Sequence, residues 1–490
     1  MASEEVESHI YKKFEILQKL GKGAYGIVWK AMDKKTKKIV ALKKVFEAFH
    51  NATDAQRTFR EVMILKDLSA HENIVKLLGV IKAENNKDIY LVFDFMETDL
   101  HAVIKAAILK KVHKQFIIYQ LLKGLKYIHS GEVIHRDLKP ANVLINSECQ
   151  IKIADFGLAR SLVTGSEDSE AIMTEYVATR WYRAPEIVLG SGRYSKAVDV
   201  WSVGCILAEL VNGKALFPGV STMNQVELIL DVVGKPTRDD ILAIESENAA
   251  SIIQNITLKP RRAFGSFFKE SSPETLDFLQ RCLEFNPARR ISIEEALNHP
   301  FVAQFRDPQK EISLSKPLKV PIDDNKKLSV KDYREALYDD IVSQKKEEKR
   351  VWRQKYLQQI GADPIFTKPK SAAPQFSRTL LVSDDPPTKP QLPKQIRPPL
   401  LSEKIIGNEA KPKPILQSQN PVNSPFATFK TLQARNSQGN IAPPVASKDP
   451  KKIEVRKTEG WPVPSKSLVS KFHYQKIFDQ YQKTFAAKKE

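Results

Sequence analysis

Ten residues at positions 135–144, HRDLKPANVL, constrain this chain more than any other feature, because they set three groups of different chemistry at short steps inside an apolar frame. Asp137 offers a carboxylate that can accept a hydroxyl proton. Lys139 offers a cation to steady a transferring phosphoryl group, and Asn142 an amide oxygen for a magnesium ion. Thirteen positions after Asn142 stands DFGLAR, whose Asp155 supplies the other magnesium contact, and thirty-one positions after Asp155 the run APE ends on Glu186. His135 is read as a structural member of this loop, with no part in proton transfer.

Upstream, GKGAYGIV places Gly21, Gly23 and Gly26 after a strand, so that the backbone can bend over phosphates while Val28 covers an adenine. A dinucleotide-binding loop is the rival reading, but that loop opens a helix, and here Ile27, Val28 and Trp29 continue as a strand. In VALKK, Lys43 is placed to hold the α- and β-phosphates of ATP, with Glu61 of QRTFREVMIL as its carboxylate partner. One lysine is ordinarily a solvated surface charge. Its position inside an apolar strand after a glycine loop argues otherwise.

With 490 residues, the chain can hold a large catalytic domain and more. Short alternating runs (FEILQKL, GIVWKAM, IVALKKV, IYLVFDF) give way to helical segments after Leu100, a β-rich lobe followed by an α-rich one. Residues 303–350 read as an extension in which Val330, Tyr333, Leu337 and Ile341 fall at helical spacing from about Ser329, a helix that packs back on the domain. Residues 351–490 hold 18 of the 29 prolines and about +14 of the formal net charge of +19, which predicts a largely disordered basic tail. Such a tail suits an anionic partner, whether acidic protein, nucleic acid or cytoskeleton. Within it, Tyr474, Ile477, Phe478, Tyr481 and Phe485 recur at helical steps among lysines, PPTKPQLPK offers polyproline contacts, and Ser424-Pro425 offers a self-phosphorylation site. Three widely spaced cysteines (Cys149, Cys205, Cys282) argue against a disulfide framework or a zinc site and for cytosol or nucleus. MASEEVESHI lacks the features of a secretory signal, and the apolar run from Val198 to Val211 is too short to span a membrane.

In this order the motifs resemble those of a eukaryotic protein kinase over residues 14–302. The resemblance implies the bilobal α+β kinase fold, ATP and Mg2+ as cofactors, Asp199 of DVWSVGC bracing the catalytic loop, and Arg290 of NPARRI pairing with Glu186. It also implies an adenine site from Leu20, Val28, Ala41, Phe93 and Leu144, with backbone groups of Asp94 and Met96 facing the base and Asp99 at the ribose.

Between DFG and APE, Thr174-Glu175-Tyr176 resembles the dual-phosphorylation motif of the mitogen-activated protein kinases. By that resemblance Arg57, Arg60, Arg136 and Arg160 converge on phospho-Thr174, and Arg180 and Arg183 meet phospho-Tyr176. Phosphorylation is expected to order the loop and complete the Lys43–Glu61 pair. ATRWYR resembles a proline-directed pocket, implying Ser-Pro and Thr-Pro substrates. KKVFEAFHNATDAQRTFRE, STMNQVELILDVVGKPT and the basic tail resemble the atypical extracellular-signal-regulated kinase 7/8 subgroup. That likeness implies self-phosphorylation and work around cilia, basal bodies, autophagy and chromatin, and the expected location is the cytoplasm, with nucleus, cilium, basal body or cytoskeleton as further places. Two departures stand out: Lys310 follows Asp307 where a docking patch would have a second acid, and Phe93 stands at the gatekeeper where glutamine is usual. Tyr338-Asp339-Asp340-Ile341 fits the aromatic-x-x-aliphatic pattern bound by autophagy ubiquitin-like proteins, beside the plainer reading of a packed helix. An alternative to an active kinase is a targeting scaffold; the presence of Lys43, Asp137 and Asp155 argues against a degenerate enzyme. A cyclin-dependent kinase lacks support, its helix signature being absent.

Overall fold

The computed structural model describes residues 5–23, 26–163, 179–257, 260, 262–318 and 328–359. Thr174, Tyr176, Ser424, PPTKPQLPK and the aromatic segment 467–490 lie outside the described residues.

The chain opens with a short helix α1 (Ser8–Lys13), then strands β1 (Phe14–Gly23), β2 (Gly26–Asp33) and β3 (Ile39–Val45). Helix α2 (Ala52–Leu68) follows, then β4 (Leu77–Lys82) and β5 (Ile89–Asp94). The five strands form one antiparallel sheet in the order β1-β2-β3-β5-β4, which puts β3 at its centre. Strand alternation then divides β3 between two cores. Ala41 and Val45 join the main core, whereas Val40 and Leu42 join a smaller one with Trp29, Tyr90 and Val92 on the opposite face.

That smaller core includes Val6 and Ile10, so the acidic N-terminus belongs to the fold, which extends upstream of Phe14. Only two apolar residues four apart carry it, too few to stand out in the sequence. The segment is fastened by Lys44, just 1% exposed, whose ammonium donates to the Glu5 carbonyl at 3.1 Å and pairs with Asp88 at 3.4 Å.

The second lobe begins with β6 (Thr98–Asp99), α3 (Leu100–Lys105) and the long buried α4 (Lys111–Ser130). Strand β7 (Val133–Ile134), β8 (Val143–Ile145), β9 (Ile151–Ile153) and β10 (Arg160–Ser161) form two small sheets, pairing β10 with β7 and running β6-β8-β9. Helices α5 (Pro185–Val188), α6 (Ala197–Asn212), α7 (Thr222–Val233), α8 (Arg238–Leu242), α9 (Ala249–Gln254), α10 (Pro273–Cys282) and α11 (Ile293–Leu297) complete the lobe. The apolar run around Val198 is α6, buried from Val198 to Leu210 and ended by Gly213 in the left-handed region (φ 72°). Among the described residues no helix is long and apolar enough to cross a membrane. The three cysteines are free and buried.

The extension folds as the final helix, α12 (Val330–Gln359), which runs nine residues past the boundary expected at 350. The stretch SQKKEEKRVWRQKYLQQ contains no proline or glycine to stop it. Tyr333, Leu337 and Ile341 are buried, as their spacing required. Tyr338 is half-buried in the same helix, so an extended strand-docking conformation of the Tyr338–Ile341 motif requires α12 to melt there.

Candidate active site

Two strand registers build the roof of the cleft. Ala41 lies opposite Phe93 and Lys43 opposite Leu91 across β3–β5, while Lys43 lies opposite Val28 across β2–β3. Because side chains alternate, Ala41 and Lys43 share one face of β3 and Lys44 takes the other. Gly26 is sterically required: a Cβ there would stand 2.0 Å from the Lys44 carbonyl oxygen. Nothing lies within 4 Å of a Cβ built on Gly23, so space does not dictate that glycine. Leu20, Ala41, Phe93 and Met96 are buried, and Val28 and Leu144 are partly so and pack on the main core.

Asp94 spends its carboxylate elsewhere, accepting from the Lys76 backbone N–H at 2.8 Å and pairing with Lys152 at 3.1 Å, so only its backbone remains for a base. Asp99, expected at the ribose, is instead 1% exposed and caps α3, its Oδ1 accepting the Ala102 N–H at 2.9 Å. An Asp just before a helical run is a strong N-cap, and this local use engages its Oδ1.

Lys43 Nζ and Glu61 Oε1 are 3.0 Å apart. Burial would lower the Lys43 pKa, but Glu61 and then Asp155 raise it. Glu61 sits near the middle of α2, whose start is capped by Asn51 accepting from Asp54 N–H at 2.9 Å.

The catalytic-loop residues are tied to one another. Lys139 Nζ meets Asp137 Oδ2 at 2.7 Å, and Asn142 Nδ2 donates both to the Asp137 carbonyl at 2.8 Å and to its Oδ2 at 3.0 Å. With its amide nitrogen so engaged, Asn142 keeps its side-chain oxygen as an acceptor. Asp155 stands in the left-handed region (φ 65°), and its carboxyl, although pushed up by burial, is held well below the usual range by Lys43, Arg57 and Lys139. An ionised carboxylate and an amide oxygen are a donor set that fits a hard divalent cation. Next to it Phe156 is fully buried, its ring 4.8 Å from that of His135 in an edge arrangement.

Asp199 holds this loop from beneath. Fully buried on α6, it accepts from the backbone N–H groups of His135 and Arg136, each at 2.9 Å, and from His129 Nε2 at 2.8 Å. Burial raises its pKa, yet the His129 hydrogen bond and the histidine rings lower it on balance. The brace is needed because Arg136 has φ 68°, an unfavourable conformation for a residue with a Cβ. His135 has its Nδ1 accepting from Asp137 N–H at 3.3 Å and its Nε2 donating to the Ala154 carbonyl at 3.0 Å, so both nitrogens are engaged in structure. Further off, Arg290 forms a two-pronged pair with Glu186 at 2.8 and 3.0 Å, both side chains buried.

Of the arginines expected to gather phosphate, Arg57 and Arg60 reach the DFG turn. Arg57 reaches to 3.8 Å from Asp155, and a Cβ on Gly157 would meet Arg57 Nε at 2.6 Å. Arg60 donates to the Gly157 carbonyl at 3.5 Å, Arg136 stacks 4.3 Å over Tyr194, and Arg160 pairs with Ile134 in β10–β7. Arg180 donates to the Val220 carbonyl at 3.0 Å, and Arg183 follows the short helical turn Arg180–Tyr182. The phosphate acceptors themselves lie outside the described residues.

Sequence reasoning missed His129, the third donor to Asp199, and the Tyr182–Glu209 hydrogen bond at 2.6 Å that fastens the turn before APE. A histidine six residues before His135, in the last turn of an apolar helix, was the available signal for the first.

The protein kinase domain family matches residues 14–302. The chain is 55% identical over 379 residues to extracellular signal-regulated kinase 2 of Dictyostelium discoideum, covering 77% of this chain and 100% of that one. It is 44% identical to mitogen-activated protein kinase 15 of Xenopus laevis over 99% of this chain and 84% of that one. With the same kinase of Caenorhabditis elegans it shares 48% identity over 76% of this chain and 79% of that one. An assembled Lys43–Glu61 pair above a braced HRD loop, in a chain so related, belongs to a serine/threonine protein kinase of the mitogen-activated family, in its extracellular-signal-regulated kinase 7/8 subgroup.

Proposed function

We propose that this kinase transfers the ATP γ-phosphoryl group to Ser-Pro and Thr-Pro sites, uses Mg2+, and switches itself on by phosphorylating Thr174 and Tyr176. The observation that supports the self-activation reading is the 3.0 Å Lys43–Glu61 contact beside a complete catalytic loop. A kinase that modifies its own loop must be competent before the modification arrives.

In this reading Asp137 Oδ1 or Oδ2 receives the proton of the substrate hydroxyl as its oxygen attacks the γ-phosphorus and ADP departs. Lys139, 2.7 Å from Asp137, balances charge on the moving phosphoryl group, and Lys43 orients the α- and β-phosphates. Asn142 and Asp155 would hold the metal, which would supply charge neutralisation to the transferring phosphoryl group. The low Asp155 pKa keeps that ligand ionised at neutral pH.

Support for proline selection comes from the rigid turn Arg180–Tyr182. Trp181 Nε1 donates to the Gly219 carbonyl at 3.2 Å, and the Tyr182 carbonyl accepts from Ser202 at 2.9 Å. A substrate amide left unpaired against this ledge costs about 1–3 kcal/mol, and proline has none. The basic tail, in this reading, directs the kinase to an anionic partner, and truncation after residue 359 is expected to alter its distribution between cytoplasm, nucleus and cilium.

Mass spectrometry of the activation loop in purified wild type and Asp137→Ala, with a peptide-library assay, tests the proposal. Phosphate on Thr174 and Tyr176 in the wild type alone, with proline preferred after the acceptor, is the expected result. An unmodified wild-type loop defeats self-activation, and a library without proline preference defeats the specificity.

A further inference from the structure

Strand β3 carries Lys43 on one face and rests its other face on the N-terminal segment. Alternation sends Val40, Leu42 and Lys44 to that second face, where Val6 and Ile10 complete the smaller core. Lys44 anchors the segment to the strand. Besides the Glu5 carbonyl and Asp88, its ammonium meets two aromatic faces, lying 5.5 Å over the Tyr90 ring and 5.8 Å over that of Phe46. Asp88 in turn accepts the Glu47 N–H at 2.9 Å, just past the end of β3.

Residues 5–13 are fastened along their length. The Glu7 N–H donates to the Tyr90 hydroxyl at 3.3 Å, and the Glu7 carboxylate accepts the Glu84 N–H at 2.7 Å. The His9 ring lies between the Glu84 carboxylate and the Lys82 carbonyl, each 3.0 Å from one of its nitrogens. At the far end Lys34 donates to the Tyr11 carbonyl at 2.7 Å and, through its backbone N–H, to the Lys13 carbonyl at 2.9 Å. The part of the sheet held in this way is the part nearest the glycine loop. Lys44 lies opposite Ile27 in the β2–β3 ladder, and its carbonyl oxygen stands 2.0 Å from where a Cβ on Gly26 would be. A shift of β3 at Lys44 therefore moves both its neighbour Lys43 and the last glycine of that loop.

We propose that residues 5–13 form a positioning strap for nucleotide binding, which acts through Lys44 from behind the sheet to hold Lys43 and Gly26 in place for the ATP phosphates. A buried ammonium depends on all its partners. Unseating the strap takes away the Glu5 carbonyl and opens the Lys44–Asp88 pair to water, which loosens β3. Asp137 and Asn142 belong to the other lobe and keep their own ties. The strap therefore acts on nucleotide affinity and leaves the transfer step as it is. This deepens the reading of Lys43 as the residue that orients the ATP phosphates, and rests on it.

The test compares full-length wild type with Ile10→Asp, Ile10→Leu, Glu7→Ala/His9→Ala and Lys43→Met. Calorimetric titration with MgADP gives Kd, and the best peptide of the library assay gives kcat, KM for ATP and KM for peptide separately. Ile10→Asp puts a carboxylate into the smaller core and unseats the strap. Its Kd for MgADP and KM for ATP are expected to rise about fivefold, with kcat and KM for peptide within about twofold of wild type. Ile10→Leu keeps the apolar volume and should match wild type. Glu7→Ala/His9→Ala cuts only ties outside the core, so it folds whatever the fate of Ile10→Asp, and should raise both nucleotide constants about twofold to threefold. Unchanged nucleotide constants in Glu7→Ala/His9→Ala, a fall in kcat at unchanged nucleotide affinity, or a loss in Ile10→Leu as large as in Ile10→Asp each overturn the inference. Lys43→Met separates the two readings. If it is inactive while the strap variants bind nucleotide normally, the strap alone is refuted; if it is as active as wild type, the role of Lys43 falls and the strap with it.

Discussion

The catalytic loop and α2 each supply half of one active site, and they are held in opposite ways. The loop is locked from below by one buried carboxylate that accepts three hydrogen bonds, two of them from consecutive backbone N–H groups. α2 is held by side-chain contacts on two flanks: the Lys43–Glu61 pair in front, and behind it the contacts of Phe59 with Tyr333 and of Lys66 with Asp340 of α12. Backbone hydrogen bonds to a desolvated charge leave no alternative arrangement of similar energy, whereas side-chain seams between helices do. The loop is thus the fixed half of the site, and α2 the half whose hold rests on side chains alone.

The largest expected effect comes from breaking the locked half. Asp199→Asn replaces one accepting oxygen with an amide nitrogen, so at least one of the His135, Arg136 and His129 donors loses its partner in a fully buried site. With hydrogen bonds to a charged group at about 1.5–3 kcal/mol each, stability should fall by roughly 2–4 kcal/mol. Arg136, at φ 68°, is then free to relax, and kcat should fall by about two to three orders of magnitude. Denaturant unfolding and a peptide assay check this, and the loss should be the same with and without loop phosphate. A loss confined to the unphosphorylated enzyme would erase the contrast between loop and α2.

An intermediate effect concerns the rear end of α2, where the chain turns toward β4. His71 is buried, accepts from Asn73 N–H through Nδ1 at 3.0 Å, and packs 5.0 Å from the Tyr127 ring. Burial, reinforced by Lys123, pushes its pKa down to about 4. The folded state thus refuses a proton that the unfolded chain accepts below about 6.5. Stability is complete above pH 6.5 and declines as pH falls toward 4, by an amount on the order of 3 kcal/mol at about 1.4 kcal/mol per unit. In His71→Asn the new carboxamide oxygen can still accept from Asn73, so this part of the pH dependence should disappear while stability at pH 7.5 changes little. Thermal unfolding across pH 4.5–7.5 measures the difference between the two proteins, and parallel curves would remove His71 from the account.

How much of this could be read beforehand follows from how local each signal is. The bilobal order, Lys43, Glu61 and the Asp137, Asn142, Asp155 set lie in short motifs whose spacing survives into space. The Arg290–Glu186 pair bridges 104 positions but was legible through the resemblance, and the structure forms it with both groups buried. The capping role of Asp99 went unread because a cleft-side acid and a helix cap look alike until the start of α3 is known. Lys44 drew no notice beside Lys43, although strand alternation alone puts the two on opposite faces, and a lysine 1% exposed needs the Glu5 and Asp88 partners that no motif announces. The Lys66–Asp340 contact joins residues 274 positions apart on two polar helix surfaces, and nothing local marks either residue. Periodicity announced the buried face of α12, but neither its partner helix nor its end at Gln359.

The smallest effect probes the adjustable half from within. Tyr338 contacts Phe49 and Lys82, but its hydroxyl is buried without a hydrogen-bond partner, and burial raises its pKa to about 12. A buried unpaired hydroxyl is a liability, so Tyr338→Phe keeps the ring and removes the penalty. The variant should be more stable by about 0.5–1 kcal/mol, a shift resolvable by paired denaturant unfolding, with amide exchange slowed along α12 and the neighbouring turns of α2. A tyrosine at this position therefore works against the tightest α12 seam, as expected if the helix must also be able to part from α2. Slower exchange in α12 accompanied by unchanged exchange in α2 would show that the two helices move independently, and the contrast between a locked loop and a jointly held α2 would then need a different second partner.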